Sequence, residues 1–269
     1  MPPTDAEKPL PLRSLLTKKP ILISVANYAA LALLSMVAAA LLPLIWSTPV
    51  EFGGLDMSPA PIGIWLSAYG CMNGIFQFAV FPRAVARFGL RSVFVTGIGV
   101  FAVVYATFPF ENLLRRTAGA PVWPLILVQL TALSVSEMNY SKSALLLLAM
   151  VHSLVGAHSR FALITRRYFL GAVLMYLSSA APNKRSLGAT NGFAQSVASI
   201  QRTVGPAVAD WLFAFSIAND VLGGNLVYIV LLALVCGGLY VAVQLPRHMW
   251  ARDEGWIPLR SPASVSDDE

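Results

Sequence analysis

LVYIVLLALVCGGLYVAVQL, residues 226–245, is an uncharged and almost wholly apolar run. At ~1.5 Å per residue it is long enough to cross a hydrocarbon layer of ~30 Å. No backbone polar group can stay unpaired in that layer, so a single continuous α-helix is the conformation open to it. Similar runs precede it: residues 20–46 (PILISVANYAALALLSMVAAALLPLIW), 61–81, 92–110 and 122–136, the last with a polar end. A composite apolar region, 143–180, and a less apolar one, 189–215, complete the series. Composition agrees, with 57% hydrophobic residues and 12% charged, against ~25% charged in a soluble domain. The mean hydropathy is +0.67. The expected fold is all-α, a multi-pass transmembrane bundle of six helices over residues 20–245. A cytoplasmic N-terminal tail (1–19) and a polar, disordered C-terminal tail (246–269) flank it. MPPTDAEKPLPLRSLLTKKP has no small-residue cleavage site after a short apolar core, so the first helix is expected to remain as an anchor.

Basic residues in short loops are retained on the cytoplasmic side, which sets the expected orientation. Lys8, Arg13, Lys18 and Lys19 put the N-terminus inside. Loop 47–60 holds Glu51 and Asp56 but no base, and loop 82–91 holds Arg83, Arg87 and Arg91, so these two fall outside and inside. Arg115 and Arg116 run against the rule. Lys184 and Arg185, then Arg247 and Arg252, restore it, leaving both termini cytoplasmic. The net charge of +6 arises from these retention charges, and points to anionic lipid headgroups as a partner and away from nucleic acid. Cys71 and Cys236 fall at membrane depth and read as buried small apolar side chains. The few histidines form no metal-ligand pattern, and neither a phosphate-binding glycine loop nor a nucleophile elbow occurs. No enzyme activity, metal or cofactor is expected.

FPRAVARFGLRSVF, residues 81–94, repeats Arg83, Arg87 and Arg91 at four-residue intervals with Gly89 breaking the run. This fits a tight cytoplasmic turn whose bases meet carboxylates or helix C-termini. The segment resembles the cytoplasmic signature between the second and third helices of each half in the major facilitator superfamily, without its usual acidic residue. The resemblance extends over LLPLIWSTPVEFGGLDMSPAPIGIWLSAYGCMNGIFQ (41–77) and APNKRSLGATNGFAQSVASIQRTVGPAVADWLFAFS (181–216). Together these are similar to the C-terminal half of fungal transporters of the multidrug or tetracycline-resistance-like type. Such transporters have twelve helices in two six-helix halves, with substrate held near the midplane between them. The resemblance therefore implies a six-helix half, a missing N-terminal half, and a small-molecule substrate.

Within the resemblance, residues 141–171 have no counterpart. They carry Arg160, Arg166 and Arg167 among apolar residues, and one extra crossing would invert the helices that follow. The segment is expected to be either an inserted hairpin or interfacial helix, or a retained intron. Tyr-Ser-Lys-Ser at 140–143 can encode a splice donor, and removal up to residue 171 keeps the reading frame. The helix so repaired would be long enough for a tilted span.

Charged side chains at membrane depth cost ~2.5–3.5 kcal/mol on insertion and so are functional candidates. Arg202 and Asp210 fall about two turns apart on roughly one side of a helix. With Asn191, Gln195 and Ser199 they form a polar stripe that either lines the pathway between halves or makes structural and interfacial contacts. Glu137 is a candidate proton carrier if the helix is continuous, and a solvated terminal residue otherwise. Gly205-Pro206 is expected to kink or unwind the helix of Arg202. Asn27, Tyr28, Tyr69, Asn73 and Gln77 read as interhelical glue. Two functions follow: proton-coupled transport of a small solute by a chain paired with a second six-helix half, its own or that of a second copy, or a non-transporting membrane protein.

Overall fold

The computed structural model describes residues 17–118, 121–139, 172–181 and 186–246. These form eight α-helices and no strand: α1 (Lys19–Ser47), α2 (Pro59–Ile75), α3 (Phe81–Phe88), α4 (Leu90–Ala118), α5 (Trp123–Glu137), α6 (Ala172–Ala180), α7 (Leu187–Ala218) and α8 (Leu226–Val243). The sites expected within 140–171, at Lys184 and Arg185, and in both tails beyond 17–246 lie outside the described residues.

Proline opens several of these helices, standing in the first turn of α1, α2 and α5. There its missing N–H has no helical partner to lose and its fixed φ is already helical. Three helices, Lys19–Ser47, Leu90–Thr117 and Leu226–Val243, are long and apolar enough to cross a membrane, and Trp123–Glu137 is a shorter apolar helix.

α1 is the hub. Residues such as Ile21, Leu31, Ala38, Leu41 and Trp46 are buried around most of its circumference, and it packs on α7 most extensively, then on α6, α8, α4 and α2. α4 in turn packs on α5 and α8. α7 comes close to α1 at Gly205, where an added Cβ would stand 2.7 Å from Leu33 Cδ1. A stripe of α4, Phe94, Ile98, Phe101, Tyr105 and Phe108, faces the same core.

Three expectations change. Residues 81–94 are helical: α3 continues α2 through a π-helical turn, Phe76–Val80, and the chain reverses only at Gly89, whose φ of +79° favours glycine. Pro82 accounts for the π turn, because widening the helix ahead of a proline relieves its clash with the carbonyl one turn back. Cys71 and Cys236 are exposed free thiols on the bundle surface, not buried ones. They fall on the helix faces away from the core stripes, a distinction that uniformly apolar helices hide. The Gly205-Pro206 step does not unwind α7, which stays α-helical from end to end.

Candidate functional site

Two clusters of ionisable side chains lie between the helices. The first is built on Glu137, at the C-terminal end of α5. Its carboxylate accepts a hydrogen bond from Ser35 Oγ, near the middle of α1. Its backbone carbonyl accepts one from Gln77 Nε2, at 2.8 Å, out of the π turn. Tyr69 of α2 and Tyr105 of α4 lie within electrostatic reach of the carboxylate, and the Tyr105 hydroxyl donates to Leu34 O at 2.6 Å. Four segments thus converge on one half-buried acid at the depth of the centre of α1.

The second cluster pairs α7 with α1. Arg202 Nη2 donates to the Tyr28 hydroxyl at 2.9 Å, and its guanidinium stands over the Tyr28 ring at 5.8 Å. An Arg over an aromatic face gains a cation–π attraction besides the hydrogen bond. Pro206, lacking its N–H, leaves the Arg202 carbonyl one turn earlier without a helical donor. Asp210, about two turns further on, is half-buried with Oδ1 unpartnered, and Asn191 is half-buried likewise. Gln195 and Ser199 are exposed. Along α7 the expected residues keep to one side of the helix, some half-buried and some open. Arg202 turns toward α1 through Tyr28, and Gln195 stays exposed.

At the end of the bundle near Gly89, Arg83 bonds the Ala79 carbonyl of its own helix and Arg87 stands over the Phe88 ring at 5.7 Å. Arg91 Nη2 donates to Val243 O at 2.6 Å. The last carbonyls of α8 have no helical partner and attract a cation. The opposite end explains Arg116, which ran against the expected charge pattern. Its guanidinium donates to Val50 O and Glu51 O at 2.7–3.1 Å, and Asn112 Nδ2 holds Val50 O and Gly54 O at 3.0 and 2.8 Å. This tie rests on a 3-10 turn, Val50–Phe52. A cavity of about 520 Å³ opens there, lined among others by Glu51, Asn112, Arg116, Asp220, Asn225 and Tyr228.

Sequence reasoning missed Glu111. It is fully buried, together with Trp46 and Tyr228. The apolar run had been ended at residue 110, whereas α4 continues to Ala118. The stripe through Tyr105 and Phe108 continues at Asn112, so Glu111 lies about a quarter turn off it and the spacing alone carries no signal for it.

An all-helical bundle with three apolar helices of membrane-spanning length suggests an integral membrane protein, in which ionisable groups between helices are candidates for function. Among known proteins, the chain matches transporters of the major facilitator superfamily in part. It is 27% identical over 207 residues, 77% of this chain, to the major facilitator-type transporter psiT2 of Psilocybe cyanescens. It is 28% identical over 84% of its length to the protein Zinc Induced Facilitator 1 of Arabidopsis thaliana. It is also 28% identical over 72% to the major facilitator superfamily multidrug transporter mfsB of Aspergillus fumigatus. The chain covers 36%, 41% and 29% of these three proteins, so it spans about a third of the relatives it matches. The psiT2 and mfsB relatives are transporters, not enzymes. No family model and no solved structure matches it.

Proposed function

We propose that this chain forms one six-helix half of a secondary transporter of the major facilitator type, moving a small solute coupled to protons. The observation that carries the reading is Glu137, an acid held at mid-depth by Ser35 and surrounded by α1, α2, α4 and the π turn. Buried ionisable residues in a membrane bundle mark ion and substrate paths. The similarity to transporters supports it.

The crossings are α1, α2 continued through α3, α4, α5 completed by α6, α7 and α8. α5, with 15 residues, and α6, with 9, are each too short to span alone, but together they reach the length a bilayer needs. Their neighbours support the pairing. Trp123 at the start of α5 stacks on Trp65 at 5.7 Å, and Glu137 at its end is level with the middle of α1. The Tyr176 hydroxyl of α6 donates to Pro246 O at 3.1 Å, near Arg91 at the opposite end. Residues 141–171 on this reading are an insertion into one helix, and the Gly89 end faces the cytoplasm with both termini.

Glu137 carries the coupled proton, and Ser35 holds its carboxylate in either protonation state, since a hydroxyl donates and accepts. Arg202 faces an anionic group of the substrate or of the second half, with Asp210 further along the same helix. The second half covers the exposed face of α7, where Ile200, Val204, Val208 and Trp211 stand open. It is supplied by the chain's own N-terminal half or by a second copy. The multidrug relative favours a small organic solute as cargo. The second reading is a non-transporting membrane protein.

The test is proteoliposomes containing the full chain, with a proton gradient imposed and movement of a fluorescent organic cation followed. Gradient-driven movement that is lost in Glu137→Gln is the expected result. Transport unchanged in that variant overturns the role of Glu137. A monomer in mild detergent with no gradient-driven movement supports the second reading.

A further inference from the structure

The end of the bundle opposite Gly89 holds an acid that the proposed function leaves unused. Glu111 is fully buried one turn beyond Phe108. The Trp46 indole of α1 and the Tyr228 phenol of α8 are its polar neighbours. The indole N–H faces the carboxyl, yet neither carboxyl oxygen closes a hydrogen bond of ordinary geometry.

No described cation offsets a charge there. Trp46 is the only polar neighbour from α1, and the outer part of α5 carries no titratable group. Tyr228 is the one from α8. The connection between α1 and α2 adds Glu51 and Asp56, and that between α7 and α8 adds Asp220, all of the same sign as an ionised Glu111. Arg115, one turn further along α4, is exposed at the helix end, and Arg116 is turned to the Val50 and Glu51 carbonyls. Arg83 and Arg87 of α3, Tyr176 of α6 and Glu137 of α5 belong to the other end or the middle of the bundle. An unpaired carboxylate in such surroundings is strongly disfavoured, whereas a neutral carboxyl is not. A hard metal ion would need several oxygen ligands, and among the described residues no group of three or more His, Cys, Asp or Glu side chains could hold one.

Access comes through the same tyrosine. Tyr228 lies beside Glu111 and also lines the 520 Å³ cavity. Its hydroxyl is buried without a partner, so it is able to accept a proton on one side while giving one up on the other. Phe108 stacks on its ring at 5.9 Å and fixes its plane.

We propose that Glu111 is a proton-binding site at the end of the bundle opposite Gly89, exchanging with that cavity through Tyr228. It deepens the proton-coupling reading, but its chemistry is independent of whether the chain transports. The full chain in lipid nanodiscs is examined by infrared difference spectroscopy from mildly acidic to mildly alkaline pH. The expected result is a protonated-carboxyl carbonyl band that disappears in Glu111→Gln and persists in Glu137→Gln. Tyr228→Phe should keep the band and slow its shift on transfer to deuterated buffer. Trp46 fluorescence should change with pH in the wild type and not in Glu111→Gln. A band absent from the wild type, or unaffected by Glu111→Gln in protein of unchanged helix content, overturns the site. Exchange as fast in Tyr228→Phe overturns the route. The band without gradient-driven transport leaves the site standing and removes the transport reading; transport without the band does the reverse.

Discussion

Gly205 decides how closely α7 lies on the hub helix, and replacing it tests that packing. A Cβ there would meet Leu33 Cδ1 at 2.7 Å and Val37 Cγ2 at 3.6 Å. Ordinary carbon contacts lie at about 3.5–4.0 Å, so the neighbour must yield by about 1 Å. For Gly205→Ala the yielding atom is the far end of a leucine, which gives way by leaving its rotamer well at a cost of about 0.5–1.5 kcal/mol. The gain in helix propensity, about 1 kcal/mol, offsets that, and the net change should be near zero. Gly205→Leu cannot be relieved so, because three further carbons enter a filled interface. Overpacking of this kind costs about 1–3 kcal/mol. Gly237 of α8 is the control, with nothing within 4 Å of its Cβ position, and Gly237→Leu should be neutral or stabilising. Thermal unfolding followed by circular dichroism in one detergent compares the three. Gly205→Leu should melt well below the wild type, with Gly205→Ala and Gly237→Leu close to it. Equal behaviour of the two leucine variants would show that α7 does not approach α1 at Gly205.

Tyr28→Phe keeps the ring under Arg202 and removes the hydroxyl bond, at a cost of about 1 kcal/mol. Tyr28→Ala removes both and should melt clearly lower; equal losses would mean that the ring contributes nothing. Asn112→Ala frees the carbonyls of Val50 and Gly54, so hydrogen exchange across residues 48–58 should quicken, with little change in the helices. Unchanged exchange there would mean that Arg116 alone holds the turn. Both free thiols, Cys71 and Cys236, are exposed and should react with a small maleimide in detergent without unfolding. A thiol that reacts only after denaturation would place its helix face inside the bundle.

The apolar runs determined the helical membrane class because lipid leaves the backbone no other way to satisfy its hydrogen bonds. The prolines at helix starts and the positive-φ glycine at 89 likewise act through local sterics, so their effect is visible in the chain itself. What tertiary structure decided is which side of each helix is inner. α8 is apolar all round, and nothing in its composition separates exposed Cys236 from buried Val235. Arg202 shares a side of α7 with exposed Gln195, and only its contact with Tyr28 from a distant helix brings its guanidinium onto α1. Glu137 is tied to the middle of α1 and to the π turn by Ser35 and Gln77, both far away in sequence. Glu111 escaped reading for the opposite reason: its charge ended the apolar run on paper, while in the bundle the helix carries it on into the core.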